Sequence, residues 1–376
     1  MKKRMIALIL ALCTVLLFSG CVRNADALSS GALTIEHETR FGGAYLHMTI
    51  DDFCALGFEY GDAVDVRFSN GYELENVPFF NGYYTMTGEP LLCAYPGYPY
   101  IKACINNGDD LFETGRLSED CTAEVTLRER GAFLKVQTVM SMVYTNERDN
   151  YASDAVFANF RDMSGGQLAD NLFYRAASPC DNQYNRATYS SALCGDAGIA
   201  YVLDLADSEE DALGYFEDAE LDCPYWKSLY EGGKVLPLAM SSNYRSPAYV
   251  ESVAEAMRAV IREEGPFLIH CTEGKDRTGF VCLLVEALAG ASQEELAADY
   301  MVTYDNYYGL NAKNDPEGYD TVLRRKFDDM LLALCDTDDV SKLTPEQLTA
   351  GAEQYLALGG LTEAEIRQLE DKITAE

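Results

Sequence analysis

From about Leu33 to Tyr144, apolar and polar positions alternate in short runs such as AVDVRF (63–68) and FLKVQTVMSMVY (133–144). Turns rich in Gly, Asn and Asp, in SNGYE, NNGDD and ERGAF, separate them. A period of two broken by turns predicts strands with one buried face, as in an all-β barrel or sandwich. The polar stretch TNERDNYASDA (145–155) then changes the pattern. Beyond it the runs GIAYVLDLA, KVLPLAM and PFLIH are apolar throughout and alternate with segments of helical period, which predicts a parallel-rich sheet flanked by helices. Ser246 and Pro247 open one such helix, whose Val250, Val253, Met257, Val260 and Ile261 share a face. Ser292 with Glu295 forms a capping box for another, and Thr344 caps a helical tail with Pro345 at its first position. The 376 residues therefore divide into a small all-β domain over 33–145, of unassigned role, and an α/β domain over 152–376.

The α/β domain carries the chemistry. Pro266 to Phe280, PFLIHCTEGKDRTGF, joins a strand to a Cys-x5-Arg-Thr-Gly loop and then to an apolar helix ending near Gly290. A helix N-terminus leaves backbone N–H groups unpaired and carries the positive end of the dipole, so the backbone of Thr272, Glu273, Gly274 and Lys275 suits a bound phosphate. The same field favours a thiolate at Cys271, the nucleophile that would attack phosphorus and form a phospho-cysteine. Arg277 offers a planar two-pronged donor to the phosphoryl oxygens, Lys275 adds positive charge at the mouth, and Thr278 can donate a hydroxyl to the departing sulfur. His270 reads as a residue that shapes the loop. A second Cys-x5-Arg, Cys180 with Arg186, lacks the strand, the loop glycine and the Thr-Gly, so spacing alone is not the signal. The leaving oxygen needs a proton. Gly232 to Val250, where an acid on a separate loop would lie, has no Asp or Glu, which leaves Asp276 inside the loop as the general acid.

These residues resemble the secreted bacterial tyrosine phosphatases whose loop reads His-Cys-x-x-Gly-Lys-Asp-Arg-Thr-Gly, a branch noted also for activity on phosphoinositides. The resemblance runs from about Ala155 to the C-terminus. It includes Asn159-Phe160-Arg161-Asp162, then Leu172 to Ala176 with Arg175, then Tyr355-Leu356 and Gly360-Leu361-Thr362. An Ile-Asp-Leu-Arg strand end is matched by Leu203 to Ala206 without its arginine. The resemblance implies Asp276 as the acid, and it makes Arg161 and Arg175 candidates for substrate contact. The stretch Gly97 to Phe112 is similar to the C-terminal β domain of the SAM-hydroxide adenosyltransferase and halogenase family, whose catalytic domain has no counterpart here.

Composition narrows the rest. Lys2, Lys3 and Arg4 precede an apolar Met5 to Phe18, and Ser19-Gly20-Cys21 resembles a lipobox. The expectation is a lipoprotein signal peptide over 1–20, lipidation at Cys21, a tether over 21–32, and an exported, membrane-anchored protein. A net charge of -32 repels nucleic acid. Of twelve cysteines, Cys180 and Cys194 form a plausible disulfide in an exported chain. The three histidines and the absence of Cys-x2-Cys argue against zinc, and no cofactor is implied. The leading expectation is a protein-tyrosine phosphatase acting on phosphoprotein, phospholipid or inositol phosphate. Two alternatives stand beside it: an inositol polyphosphate phosphatase of the phytase kind, and a surface binding lipoprotein that uses the phosphatase fold as a scaffold.

Overall fold

The computed structural model describes residues 28–337 and 339–374. The expected signal segment and the lipidation site Cys21 lie outside the described residues. Seven strands, β1 (Ser29–His37), β2 (Ala44–Leu46), β3 (Ala63–Phe68), β4 (Glu73–Phe80), β5 (Pro90–Cys93), β6 (Ile101–Ile105) and β7 (Thr122–Glu129), close into a barrel in the order β1-β2-β6-β5-β4-β3-β7. Only the β4–β5 pairing is parallel. The alternation read in AVDVRF is real: Val64, Val66 and Phe68 turn inward and meet Leu33, Leu46, Phe79, Ile101 and Val125.

Three expectations are corrected here. The barrel begins before residue 33, because β1 starts at Ser29, inside the stretch read as a tether. The inner end of β7 needs a partner there: Ser30 Oγ accepts from Val125 N at 2.9 Å and Leu28 O accepts from Leu127 N at 2.8 Å. The segment FLKVQTVMSMVY is not a strand, since Leu134–Met140 is a helix. Both edges of β7 are already taken by β1 and β3, so closure leaves no edge for another strand to pair with. Cys180 and Cys194 are both free thiols, because they pack in separate apolar clusters, Cys180 with Trp226 and Cys223 and Cys194 with Ile199 and Leu268.

The second sheet holds β8 (Arg161–Asp162), β9 (Phe173–Ala177), β10 (Tyr201–Asp204), β11 (Val235–Pro237) and β12 (Phe267–Cys271), in the order β11-β10-β12-β9-β8. Four of these strands run parallel, and β8 pairs antiparallel at the edge. The three apolar runs of the sequence are β10, β11 and β12. Helices Pro247–Arg262, Asp276–Leu288 and Pro345–Leu358 build the main core with the sheet. Ser246 and Thr344 cap the first and last of these and Ser292 caps the helix Gln293–Tyr308, as the sequence predicted. The central position of β12 fixes the site. All five of its residues are buried, and it delivers Cys271 to the carboxyl end of the sheet, where parallel strands open a crevice.

Candidate active site

The chain leaves β12 at Cys271, turns through Thr272 to Lys275, and enters the helix Asp276–Leu288. Gly274 makes the turn possible. Its φ is +66°, and a Cβ built there would lie 2.2 Å from the carbonyl oxygen of Ala176 on β9, so no other residue fits without moving the strand. The helix that follows is buried from Thr278 to Leu288, which pins its N-terminus beneath the loop.

Two carbonyls of the loop are held from outside. Gly274 O accepts from Asn159 Nδ2 and from an Arg175 Nη, each at 3.1 Å, and Glu273 O accepts from the Tyr307 hydroxyl at 2.6 Å. In a trans peptide the N–H points opposite to the C=O. Pulling these carbonyls outward therefore turns the N–H groups of Gly274 and Lys275 toward the inside of the loop, the cradle an anion needs. The Glu273 side chain does not line that cradle; its carboxylate takes the Tyr144 hydroxyl at 2.5 Å.

Arg161 and Arg175 stand elsewhere than expected. Paired in register on β8 and β9, both reach Asp299 of the helix Gln293–Tyr308: Arg161 Nε at 2.9 Å from one carboxylate oxygen, and Arg175 on the other. Arg175 is 1% exposed. Arg175, buried against the carboxylate and a loop carbonyl, holds the loop, while Arg161 acts on it through Asp299, Asn159 and Thr303. Burial pushes the Asp299 carboxyl up, but the two guanidiniums outweigh it and keep it below the usual range. Thr303 completes the brace, accepting from Asn159 at 3.0 Å and from Arg161 at 3.2 Å.

The remaining loop residues lie together. Cys271 is 3% exposed. Arg277 stands at the rim, donating to Met240 O and to Thr272 Oγ1 at 3.2 Å each. Thr278 is fully buried, with its hydroxyl unpartnered, and one carboxylate oxygen of Asp276 is also without a partner. Lys275 lies 3.4 Å from Glu273 and 4.0 Å from Asp276. Burial alone would lower its pKa, but those carboxylates outweigh it and hold the ammonium well above its ordinary value.

On the other side of β12, His270, Asp204, Asp207 and Cys180 form a buried polar cluster. Burial pushes His270 down to about 4, so its imidazole is neutral, and pushes Asp204 up to about 6. Asp207 rises to about 7 through burial and the neighbouring Asp204. Cys180, Asp204 and His270 each bring a donor atom within 4.8 Å of the others, with His270 Nε2 3.9 Å from Asp204 Oδ1.

Sequence reading missed Asp299, Thr303, Tyr144, Tyr307 and Asp207. Of these only Asp207 carried a local signal, three residues past the Asp204 of the strand end.

The tyrosine phosphatase family matches residues 155–375, more than half of the chain. Over 92 residues the chain is 35% identical to the triple specificity protein phosphatase PtpB of Mycobacterium tuberculosis. That match covers 24% of this chain and 31% of the relative, so the chain spans about a third of the relative's length. Among solved structures, the core catalytic domain of the PP-IP phosphatase SIW14 from S. cerevisiae is 19% identical, with 48% of this chain and 87% of that chain covered and a TM-score of 0.30. TpbA of P. aeruginosa is 20% identical, with 52% and 98% covered and a TM-score of 0.27. With its nucleophile, loop arginine and buttressing residues all falling inside the matched span, this chain belongs to the tyrosine phosphatase family.

Proposed function

We propose that the protein hydrolyses phosphomonoesters, phosphotyrosine first and phosphoinositides as a second class, through a phospho-cysteine on Cys271. The observation that carries the reading is the loop itself: a cysteine at a central strand end, two carbonyls tied outward, and Arg277 at the rim. Cys271 Sγ bonds to phosphorus as the bond to the leaving oxygen breaks, and Asp276 gives that oxygen its proton. Water then attacks phosphorus and returns a proton to Asp276, the P–S bond breaks, and inorganic phosphate leaves. Arg277 and the inward N–H groups hold the charge on the equatorial oxygens in both steps. Thr278, with a free hydroxyl in the first turn of the same helix, is the donor at hand for the departing thiolate.

Phosphate release from a phosphotyrosine peptide, a phosphoinositide and inositol hexakisphosphate, beside Cys271→Ser in reducing buffer, tests this. Turnover of the first two should fall by at least about a thousandfold in the mutant. Activity that survives in Cys271→Ser, or turnover of the hexakisphosphate alone, would contradict it.

The N-terminal sequence supports export and a lipid anchor at Cys21. Cys21→Ser should then release the protein from the membrane fraction of the cells that make it, and a wild-type protein already absent from that fraction would count against the anchor.

A further inference from the structure

The β domain is not remote from the catalytic loop. A cavity of about 130 Å³ opens beside it, lined by Lys275 and Asp276 from the loop, Tyr308 from the helix Gln293–Tyr308, Tyr83 and Tyr84 from the barrel segment that follows β4, and Lys326. This is well under the roughly 300 Å³ of a pocket that encloses a whole small ligand, so it is a subsite of something larger. Asp276 is the residue proposed to protonate the leaving oxygen, so the cavity lies on the leaving-group side of the reaction.

Lys326 has a distinct setting. It lies in the single π-helical turn Leu323–Phe327, a local irregularity that recurs at functional sites. Its neighbours in that turn are committed: Arg324 pairs with Asp320 at 3.0 Å, and Arg325 pairs with Glu89 of the barrel at 3.2 Å. Lys326 has no carboxylate within 4.0 Å among the described residues. Lys227 and Lys372 are likewise half-buried without a carboxylate, but each donates to backbone carbonyls, whereas Lys326 has no hydrogen-bond partner among the described residues. The barrel wall opposite is fixed in place. Thr87 donates through its N–H and hydroxyl to the two Asp329 oxygens at 3.1 and 2.9 Å, and the Tyr83 and Tyr98 hydroxyls are 2.6 Å apart.

We propose that this cavity is a second anion subsite, in which Lys326 takes a further phosphoryl group carried by the leaving group, with Tyr84 and Tyr308 against the ring that bears both phosphates. The ligand class is a multiply phosphorylated ring alcohol, free or as a lipid headgroup; a singly phosphorylated tyrosine leaves the subsite unfilled. The proposal rests on the phosphatase reading above and says how the site would choose within its second substrate class, favouring a ring with a further phosphate over one without. Lys275 belongs to the catalytic loop, whereas Lys326 and the tyrosines of the barrel segment lie outside it and add selectivity.

The test compares kcat/KM for an inositol monophosphate and an inositol bisphosphate, each as the soluble headgroup and as the short-chain lipid, with a phosphotyrosine peptide as reference. Lys326→Met, which keeps the stem and removes the charge, should lower the bisphosphate-to-monophosphate ratio about tenfold in both arms, the worth of one charge-assisted hydrogen bond. Lys326→Arg should keep most of the ratio. An unchanged ratio in Lys326→Met, equal losses on both substrates, equal behaviour of the Met and Arg variants, or an effect in the lipid arm alone would overturn the subsite. So would hydrolysis of the peptide without either ring substrate, which leaves the phosphatase reading intact. No turnover of any of them would remove that reading and the subsite with it.

Discussion

At Gly274, conformation and space make the same demand. A positive φ is open to several residues in a turn, and eight non-glycine positions among the described residues adopt one. A backbone oxygen 2.2 Å from any added Cβ is open to none. The cluster behind Cys271 gives a second residue-scale consequence, one that pH reads out. Asp207 has its pKa raised from 3.8 to about 7, so the folded state holds a proton that the unfolded state releases. Stability is then lost as pH rises from about 4 through 7. Asp204, raised to about 6, acts in the same direction. His270, lowered from 6.5 to about 4, opposes them by adding stability as pH rises between those values. Asp207→Asn keeps the shape without the charge. It should melt higher than the wild type at pH 8 and with no advantage at pH 4; an advantage that is equal at both pH values would rule this linkage out. Cys271, Asp276, Arg277 and Thr278 were legible in the sequence because the loop places them within eight consecutive positions. Asp299 was not, because its meaning lies in two arginines more than a hundred positions away, and nothing along a strand or helix records such a meeting.

At the scale of elements, the helix Asp276–Leu288 anchors the site. Its residues from Thr278 onward are buried on every side, which is why the sequence showed it as an apolar run, interrupted by Glu286 alone, instead of a striped helix. The helix Gln293–Tyr308 works differently, by supplying groups: Asp299 to the two arginines, Thr303 to Asn159, and Tyr307 to the loop. Taking Asp299 away would leave two buried guanidiniums without their counter-charge, an imbalance of about 3–5 kcal/mol by the usual cost of breaking a buried pair. The misread element, Leu134–Met140, shows where pattern reasoning stops. Its short alternation fits a strand or one face of a helix equally, and only closure of the barrel decides between them. Three of the four parallel strands were read as apolar runs, and in β10 and β12 burial of every residue accounts for the run; β9, which carries Tyr174 and Arg175, gave no such run.

For the whole molecule, the change of pattern near Thr145 marked the passage from barrel to phosphatase half, yet gave no sign that the two halves meet at the catalytic loop. Val139 joins the main core of the phosphatase half and Tyr144 stacks on Tyr307 at 4.8 Å between ring centres; polar pairs add to this apolar contact, Thr87 with Asp329, Glu89 with Arg325, and Lys135 with Asp315 at 3.3 Å. Each polar pair joins residues more than 175 positions apart, on segments with no shared period. The barrel therefore lines the cavity beside the catalytic loop, where Tyr83 and Tyr84 of the segment after β4 stand with Lys275 and Asp276. The central claim for the molecule remains the covalent step at Cys271. The most direct measurement is mass spectrometry of the protein acid-quenched during turnover of a phosphotyrosine peptide, with the phosphoryl adduct mapped to a residue. The account predicts an adduct on Cys271 that is absent from Cys271→Ser and from the protein without substrate. Turnover with no adduct on Cys271, or with the adduct on another side chain, would contradict it.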